Sequence, residues 1–297
     1  MASLVLIEVG LQIAALAVRL STEPTAAGWH GSHTLKLLAL GDSNTYGFGV
    51  NRYEAYPRLV ETLWNSVEGR TPLEVINLGY PGTNSSQLRN RLPQLLAMLR
   101  PDIVTVMVGV NDFWTAPEPV TDHISWRERF DFLAWRYSRL YRALWMFRRA
   151  LQAQTIDVPR SVERAGEPVV VQLGSDRVEW PRAEEQRKQK QIERTPLDEN
   201  LAALAQQAAL AGVELIFLTY PADSPRAPLY GNVNVKIRRT AAATGVRLID
   251  LGPQISGSCS RAACDTLLFD DHPNVLGHQR SAALIVEALA QWRTASL

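Results

Sequence analysis

Five short apolar stretches punctuate the chain, at residues 35–40, 73–78, 102–108, 213–218 and 246–251. Their length and their content of Leu, Ile and Val read as buried strands. Between and after them the apolar positions recur every three to four residues, the spacing of one helix face. Tyr56, Leu59, Val60, Leu63, Trp64 and Val67 share a face within 53–67. Leu88, Leu92, Leu95, Leu96 and Leu99 do so within 85–100, where Pro93 is expected to kink the helix or mark a late start. Further helices are expected at 197–210, 232–244 and 274–292, the first two stopped by Gly212 and Gly245. Strands alternating with helices predict an α/β fold, a three-layer α/β/α sandwich around a five-stranded parallel sheet.

The alternation lapses between 113 and 195. That span is expected to be a helical insertion in a domain covering 35–297. Residues 127–150 within it place Phe130, Leu133, Tyr137, Leu140, Tyr141, Leu144 and Phe147 on one side and carry seven arginines. They read either as a basic amphipathic helix on a membrane surface or as a cap packed over the domain, the plainer expectation. Val169–Val171 is a candidate minor strand, and 184–194 a solvated charged run. Ahead of the domain, residues 1–20 are mostly apolar but include Glu8, Gln12 and Arg19, and 21–34 read as a linker. The apolar stretch is short for a membrane span and lacks a basic leader. A remnant membrane anchor, a surface helix and a helix packed on the domain all remain open.

Composition narrows the field. With 46% hydrophobic residues the 297-residue chain can bury a full core, and 31 basic against 30 acidic residues give no electrostatic footprint for nucleic acid. The two cysteines, Cys259 and Cys264, have neither zinc-ligand spacing nor a His partner, so no metal or cofactor is expected. They read as a disulfide closing a small loop, or as two thiols.

The chemistry gathers at the strand ends. Gly41-Asp-Ser43, Gly79-Tyr-Pro-Gly82 and Gly109-Val-Asn111-Asp112 each follow a strand, and Asp270-Asp-His272 precedes the last helix. A parallel sheet brings its carboxyl ends to one edge, where such segments meet. A serine hydroxyl is a poor nucleophile until a base takes its proton; Ser43 and His272 are the candidates. Asp270, or alternatively Asp271, would orient the imidazole. The N–H groups of Ser43 and Gly82 and the Asn111 amide would receive an oxyanion, with Gly82 leaving room for substrate. Each segment alone has a plainer use: Ser43 as a helix cap, Gly82 and Asn111 as turn residues, His272 as a loop histidine. Together, in this order, they read as a catalytic site. His278 reads as structural, and His30, His33 and His123 have no usable pattern. Trp114 reads as a core residue before a sugar-stacking one.

Gly-Asp-Ser43-Asn-Thr, Gly82, Gly-Val-Asn111-Asp and Asp-Asp-His272-Pro-Asn together resemble the four sequence blocks of the SGNH (GDSL-type) hydrolases. The resemblance implies a flavodoxin-like sandwich and a metal-free serine esterase, with Ser43 as nucleophile, His272 as base, and Ser43, Gly82 and Asn111 as oxyanion donors. It also implies an aspartate three residues before the histidine, where this chain has Phe269. The acid is therefore assigned to Asp270, with Asp271 or an acid-free Ser–His dyad as alternatives. The competing α/β-hydrolase scaffold is disfavoured, since no Gly-x-Ser-x-Gly elbow occurs. The function expected is hydrolysis of short-chain O-acyl esters, carbohydrate acetates among them. The rivals are acyl transfer to a glycan and non-catalytic carbohydrate binding. Glu8-Val-Gly-Leu, Leu140–Leu144 and the cysteine pair resemble extracytoplasmic members with an amino-terminal membrane helix. That implies an extracytoplasmic location, a disulfide, membrane association through 1–20 and 127–150, and a helix most of which would precede residue 1. Oligomeric state is not indicated.

Overall fold

A computed structural model describes residues 2–21, 29, 34–118, 126–154, 169–173, 176–180, 190, 192–223, 227–256, 266–267 and 272–294. Seven strands form among them: β1 (Leu35–Gly41), β2 (Leu73–Gly79), β3 (Ile103–Met107), β4 (Val169–Leu173), β5 (Asp176–Trp180), β6 (Glu214–Leu218) and β7 (Arg247–Ile249). Five make one sheet in the order β2-β1-β3-β6-β7, with every pairing parallel. β4 and β5 pair antiparallel as a separate hairpin, so the minor strand expected at 169–171 exists and stands outside the main sheet. Every residue of central β3 is buried, as a strand covered on both faces requires.

The helices are α1 (Ala2–Ser21), α2 (Ser43–Tyr46), α3 (Tyr56–Asn65), α4 (Ser85–Leu99), α5 (Trp126–Tyr137), α6 (Arg139–Gln154), α7 (Leu197–Ala211), α8 (Pro228–Thr244), α9 (Leu251–Ser256) and α10 (Val275–Thr294). α3 packs with α10 on one face of the sheet; α4, α7 and α8 line the other. The expected three-layer sandwich is therefore present. The chain runs outward from β1 to β2, then returns to β3 and proceeds the other way. The crevice at such a reversal, outside the carboxyl ends of β1 and β3, is where an open sheet receives ligands.

Some boundaries differ from expectation. α4 runs unbroken through Pro93, whose position faces solvent, so water can take the carbonyl of Arg89 that proline leaves unpaired. α8 begins at Pro228 rather than at 232, because proline suits the first turn of a helix. The single helix expected over 127–150 is two, α5 and α6, divided at Ser138. The Ser138 hydroxyl accepts the N–H of Tyr141 at 3.0 Å, an ordinary amino-terminal cap. The next two N–H groups, of Arg139 and Leu140, donate to the carboxylate of Glu8 on α1 at 3.0 and 2.8 Å. Those two bonds hold the Glu8 carboxyl down at about 2. Gln12, one turn on, donates to Glu8 and to the carbonyl of Tyr137, each at 2.7 Å.

α1 is thereby turned inside out. Glu8 and Gln12 meet protein, while Val5, Leu6, Ile7, Val9 and Ile13 are exposed. α5 and α6, packed against each other and against α1, expose Trp126, Phe130, Tyr137, Leu144 and Phe147. No helix among the described residues is long and apolar enough to cross a membrane. Cys259, Cys264, His30, His33, His123 and most of 184–194 lie outside the described residues.

His278 joins α10 to α3. It is buried, and its Nδ1 accepts the N–H of Tyr56 at 3.2 Å, which requires the neutral ring. Burial, and secondarily the charge of His272, push its pKa from 6.5 down to about 4. A histidine that resists protonation when folded contributes stability present above its unfolded pKa and lost as pH falls toward its folded one. The wild type should therefore lose about 3 kcal/mol relative to His278→Asn between pH 6.5 and 4. Paired denaturant titrations check this; a pH-independent difference would contradict the assignment.

Candidate active site

The site begins with two glycines. Gly41 ends β1 and Gly79 ends β2, side by side in register. A Cβ on Gly41 would lie 2.5 Å from the carbonyl oxygen of Met107, and one on Gly79 would lie 2.6 Å from the carbonyl carbon of Thr45. Their absence lets α2 settle directly on the sheet edge. The Asn77 side chain binds α2 from below, donating to the carbonyl of Thr45 at 2.9 Å.

Asp42, not Ser43, caps α2. Its Oδ1 accepts the N–H of Asn44 at 2.9 Å and the Asn44 side-chain amide at 3.1 Å. The Ser43 hydroxyl is left for another partner and lies 2.9 Å from Nε2 of His272. His272 reaches it from the loop before α10. That loop is set by a bridge between Leu267 and Pro273 and by Asn274, whose Oδ1 accepts the N–H of Gly277 at 3.0 Å. The partly exposed ring of Phe48 stands 4.9 Å from the imidazole. Asp270 and Asp271 lie outside the described residues.

Gly82 and Asn111 lie on the loops that follow β2 and β3. Gly82 has φ of 79°, a left-handed conformation that other residues resist, and a Cβ there would meet no atom within 4 Å. The backbone turn, rather than crowding by protein, requires glycine here. The Asn111 amide donates to the carbonyl of Thr83 at 3.1 Å, which places it beside Gly82. Further bonds fasten the two loops. Asn84 caps α4 and donates to Thr115 Oγ1 and the carbonyl of Ala116, at 2.8 and 2.9 Å. Asp112 accepts the N–H of Ser85 at 2.8 Å and also its hydroxyl. Burial pushes the Asp112 carboxyl up to about 6, against the pull of the Ser85 bonds. Trp114 meets Phe113 edge to face, 5.1 Å between centroids.

Ser43, His272, Gly82 and Asn111 are thus brought to one sheet edge, as their positions in the sequence predicted. Among the described residues the N–H groups of Ser43 and Gly82 donate to no protein acceptor. The arrangement can pass a proton from hydroxyl to imidazole and present N–H donors to an oxygen nearby. Sequence reasoning missed the capping by Asp42 and the role of Asp112 in joining the Gly82 and Asn111 loops. An Asp just ahead of a helix start was the available signal for the first. No group of three or more His, Cys, Asp or Glu among the described residues is placed to hold a metal.

Residues 39–280 match the GDSL-like Lipase/Acylhydrolase family. The chain belongs to that family. Its sheet and helices have the α/β fold of that family. A 76-residue stretch, 26% of the chain, is 37% identical to thioesterase 1/protease 1/lysophospholipase L1 of Escherichia coli K12, and spans 34% of that relative's length. Among solved structures, a catalytic mutant of Axe2, an acetylxylan esterase from Geobacillus stearothermophilus, superposes with a TM-score of 0.50 at 18% identity. That superposition covers 87% of this chain and 94% of Axe2, and it establishes likeness of fold.

Proposed function

We propose that this GDSL hydrolase cleaves short-chain O-acyl esters, carbohydrate acetates among them, through an acyl-enzyme on Ser43. The observation that carries the reading is the 2.9 Å approach of Ser43 Oγ to His272 Nε2, at the sheet edge whose neighbouring loops carry Gly82 and Asn111. His272 takes the hydroxyl proton as Ser43 attacks the acyl carbon. The resulting oxyanion is received by the N–H groups of Ser43 and Gly82 and by the Asn111 amide. The imidazolium then returns the proton to the leaving alkoxide. Water, deprotonated by the same imidazole, cleaves the acyl-serine bond and regenerates the hydroxyl. Asp270 is the assigned partner of the imidazole, Asp271 the alternative.

The reading extends to where the enzyme works. A helix with its polar face against protein and its apolar face outward is arranged for an apolar surrounding. At Glu8 and Gln12 α1 has that arrangement, and α5 and α6 also expose apolar side chains, with Arg148 exposed and Arg139 and Arg142 half-buried among them. Apolar side chains flanked by guanidinium groups suit an anionic lipid surface, which the three helices would dock on without spanning. The extracytoplasmic location and the Cys259–Cys264 disulfide rest on the family resemblance of the sequence.

Ser43→Ala should abolish hydrolysis of p-nitrophenyl acetate; unchanged turnover would refute the nucleophile. Asn111→Ala should lower kcat by about 10²–10³ with little change in KM, the loss expected for one oxyanion donor. A loss confined to KM would argue against that role. The acid is resolved by comparing Asp270→Asn with Asp271→Asn: a large loss of kcat should appear in the former only, and small equal losses would instead favour the dyad. For the lipid surface, co-sedimentation with phosphatidylcholine/phosphatidylglycerol vesicles should capture the protein, less so at high salt, and lose the Leu6→Glu/Phe147→Glu variant. Failure to sediment, together with a dimer by light scattering, would assign the surface to a second copy instead.

A further inference from the structure

The residues on both sides of Ser43 are gripped by two tyrosines outside the four catalytic segments. Tyr220 follows β6, and Tyr230 lies in the first turn of α8. Both are buried, and their rings stack with centroids 4.6 Å apart and planes 15° from parallel. The Tyr220 hydroxyl donates to Oδ2 of Asp42 at 2.5 Å and accepts the N–H of Val110 at 3.3 Å. The Tyr230 hydroxyl donates to Oδ1 of Asn44 at 3.0 Å, and Asn44 in turn donates to Asp42. Tyr220 is itself fixed by Asn234 of α8, which accepts its N–H at 2.7 Å and donates to its carbonyl at 3.1 Å.

The consequences follow from chain position. Asp42 immediately precedes Ser43, and Val110 immediately precedes Asn111. A single phenol oxygen therefore bonds to the neighbour of the nucleophile and to the neighbour of the oxyanion donor. These segments end different strands, β1 and β3, and the hydroxyl spans the crevice between them.

Asp42 also has an electrostatic setting. It is fully buried, and the titratable groups facing it are His272, Tyr220, Tyr56 and Asp112. Desolvation raises its carboxyl pKa; the Tyr220 bond is the largest influence drawing it back, and His272 pulls in the same direction. Burial together with Asp42 raises the Tyr220 hydroxyl well above its ordinary range, so it stays a donor.

We propose that Tyr220 is a positioning residue for ester hydrolysis, whose hydroxyl sets the spacing of Ser43 and Asn111 through its bonds to Asp42 and Val110. This rests on the reading of Ser43 and His272 as nucleophile and base. The test is the split between kcat and KM for p-nitrophenyl acetate hydrolysis in Tyr220→Phe, Tyr230→Phe, Asp42→Ala and Ser43→Ala. Tyr220→Phe should lower kcat about 10- to 100-fold, the loss expected for one strong buried hydrogen bond. KM should stay within about twofold. Tyr230→Phe, which keeps the Asp42 bond, should lower kcat less than Tyr220→Phe does. A Tyr220→Phe enzyme with the wild-type kcat, or with a loss in KM alone, overturns the proposal. Should that variant not fold, an unchanged kcat in Asp42→Ala, which removes the acceptor of the Tyr220 hydroxyl, overturns it equally. Turnover surviving in Ser43→Ala would instead refute the underlying reading of the site.

Discussion

Everything at this site depends on how closely α2 sits on the carboxyl ends of β1 and β2. Two glycines in register make the approach possible, since side chains at either position would collide with the backbone of Met107 or Thr45. Asp42 then spends its carboxylate on Asn44 and Tyr220, which frees the Ser43 hydroxyl for His272. A buried carboxylate with a full set of donors is a strong local anchor, because leaving any of those groups unpaired in a dry interior is costly. The nucleophile is thus positioned by its neighbours' bonds rather than by its own.

The loops that carry Gly82 and Asn111 are held in the same way. Gly82 and Asn111 come from different loops, yet Asn84, Ser85, Asp112 and Thr115 tie those loops into one unit. Donors that must converge on a developing charge cannot afford to reorient during the reaction, and a bonded framework holds them ready. The topological reversal between β1 and β3 supplies the space, and Tyr220 spans it.

Much of this was legible in the chain. A five-stranded parallel sheet follows from alternation, and the segments of Ser43, Gly82 and Asn111 follow three of its strands. Gly212 and Gly245 stop their helices in the left-handed conformation their position suggested. What escaped were interactions between residues far apart in sequence. Nothing in the periodicity of 127–150 shows that Glu8 would cap a helix beginning at Arg139. The hydrophobic pattern does not single out Tyr220 or Tyr230, and only the fold brings their hydroxyls to Asp42 and Asn44. For Gly82, expected to leave room for substrate, the structure adds a second requirement for glycine: its backbone is left-handed.

The central claim, that Ser43 is a nucleophile activated by His272, is met most directly by covalent trapping. After exposure to a fluorophosphonate, peptide mass spectrometry should locate a single adduct on Ser43, formed slowly or not at all in His272→Ala. An adduct on another residue, or labelling of Ser43 at an unchanged rate without His272, would contradict the account.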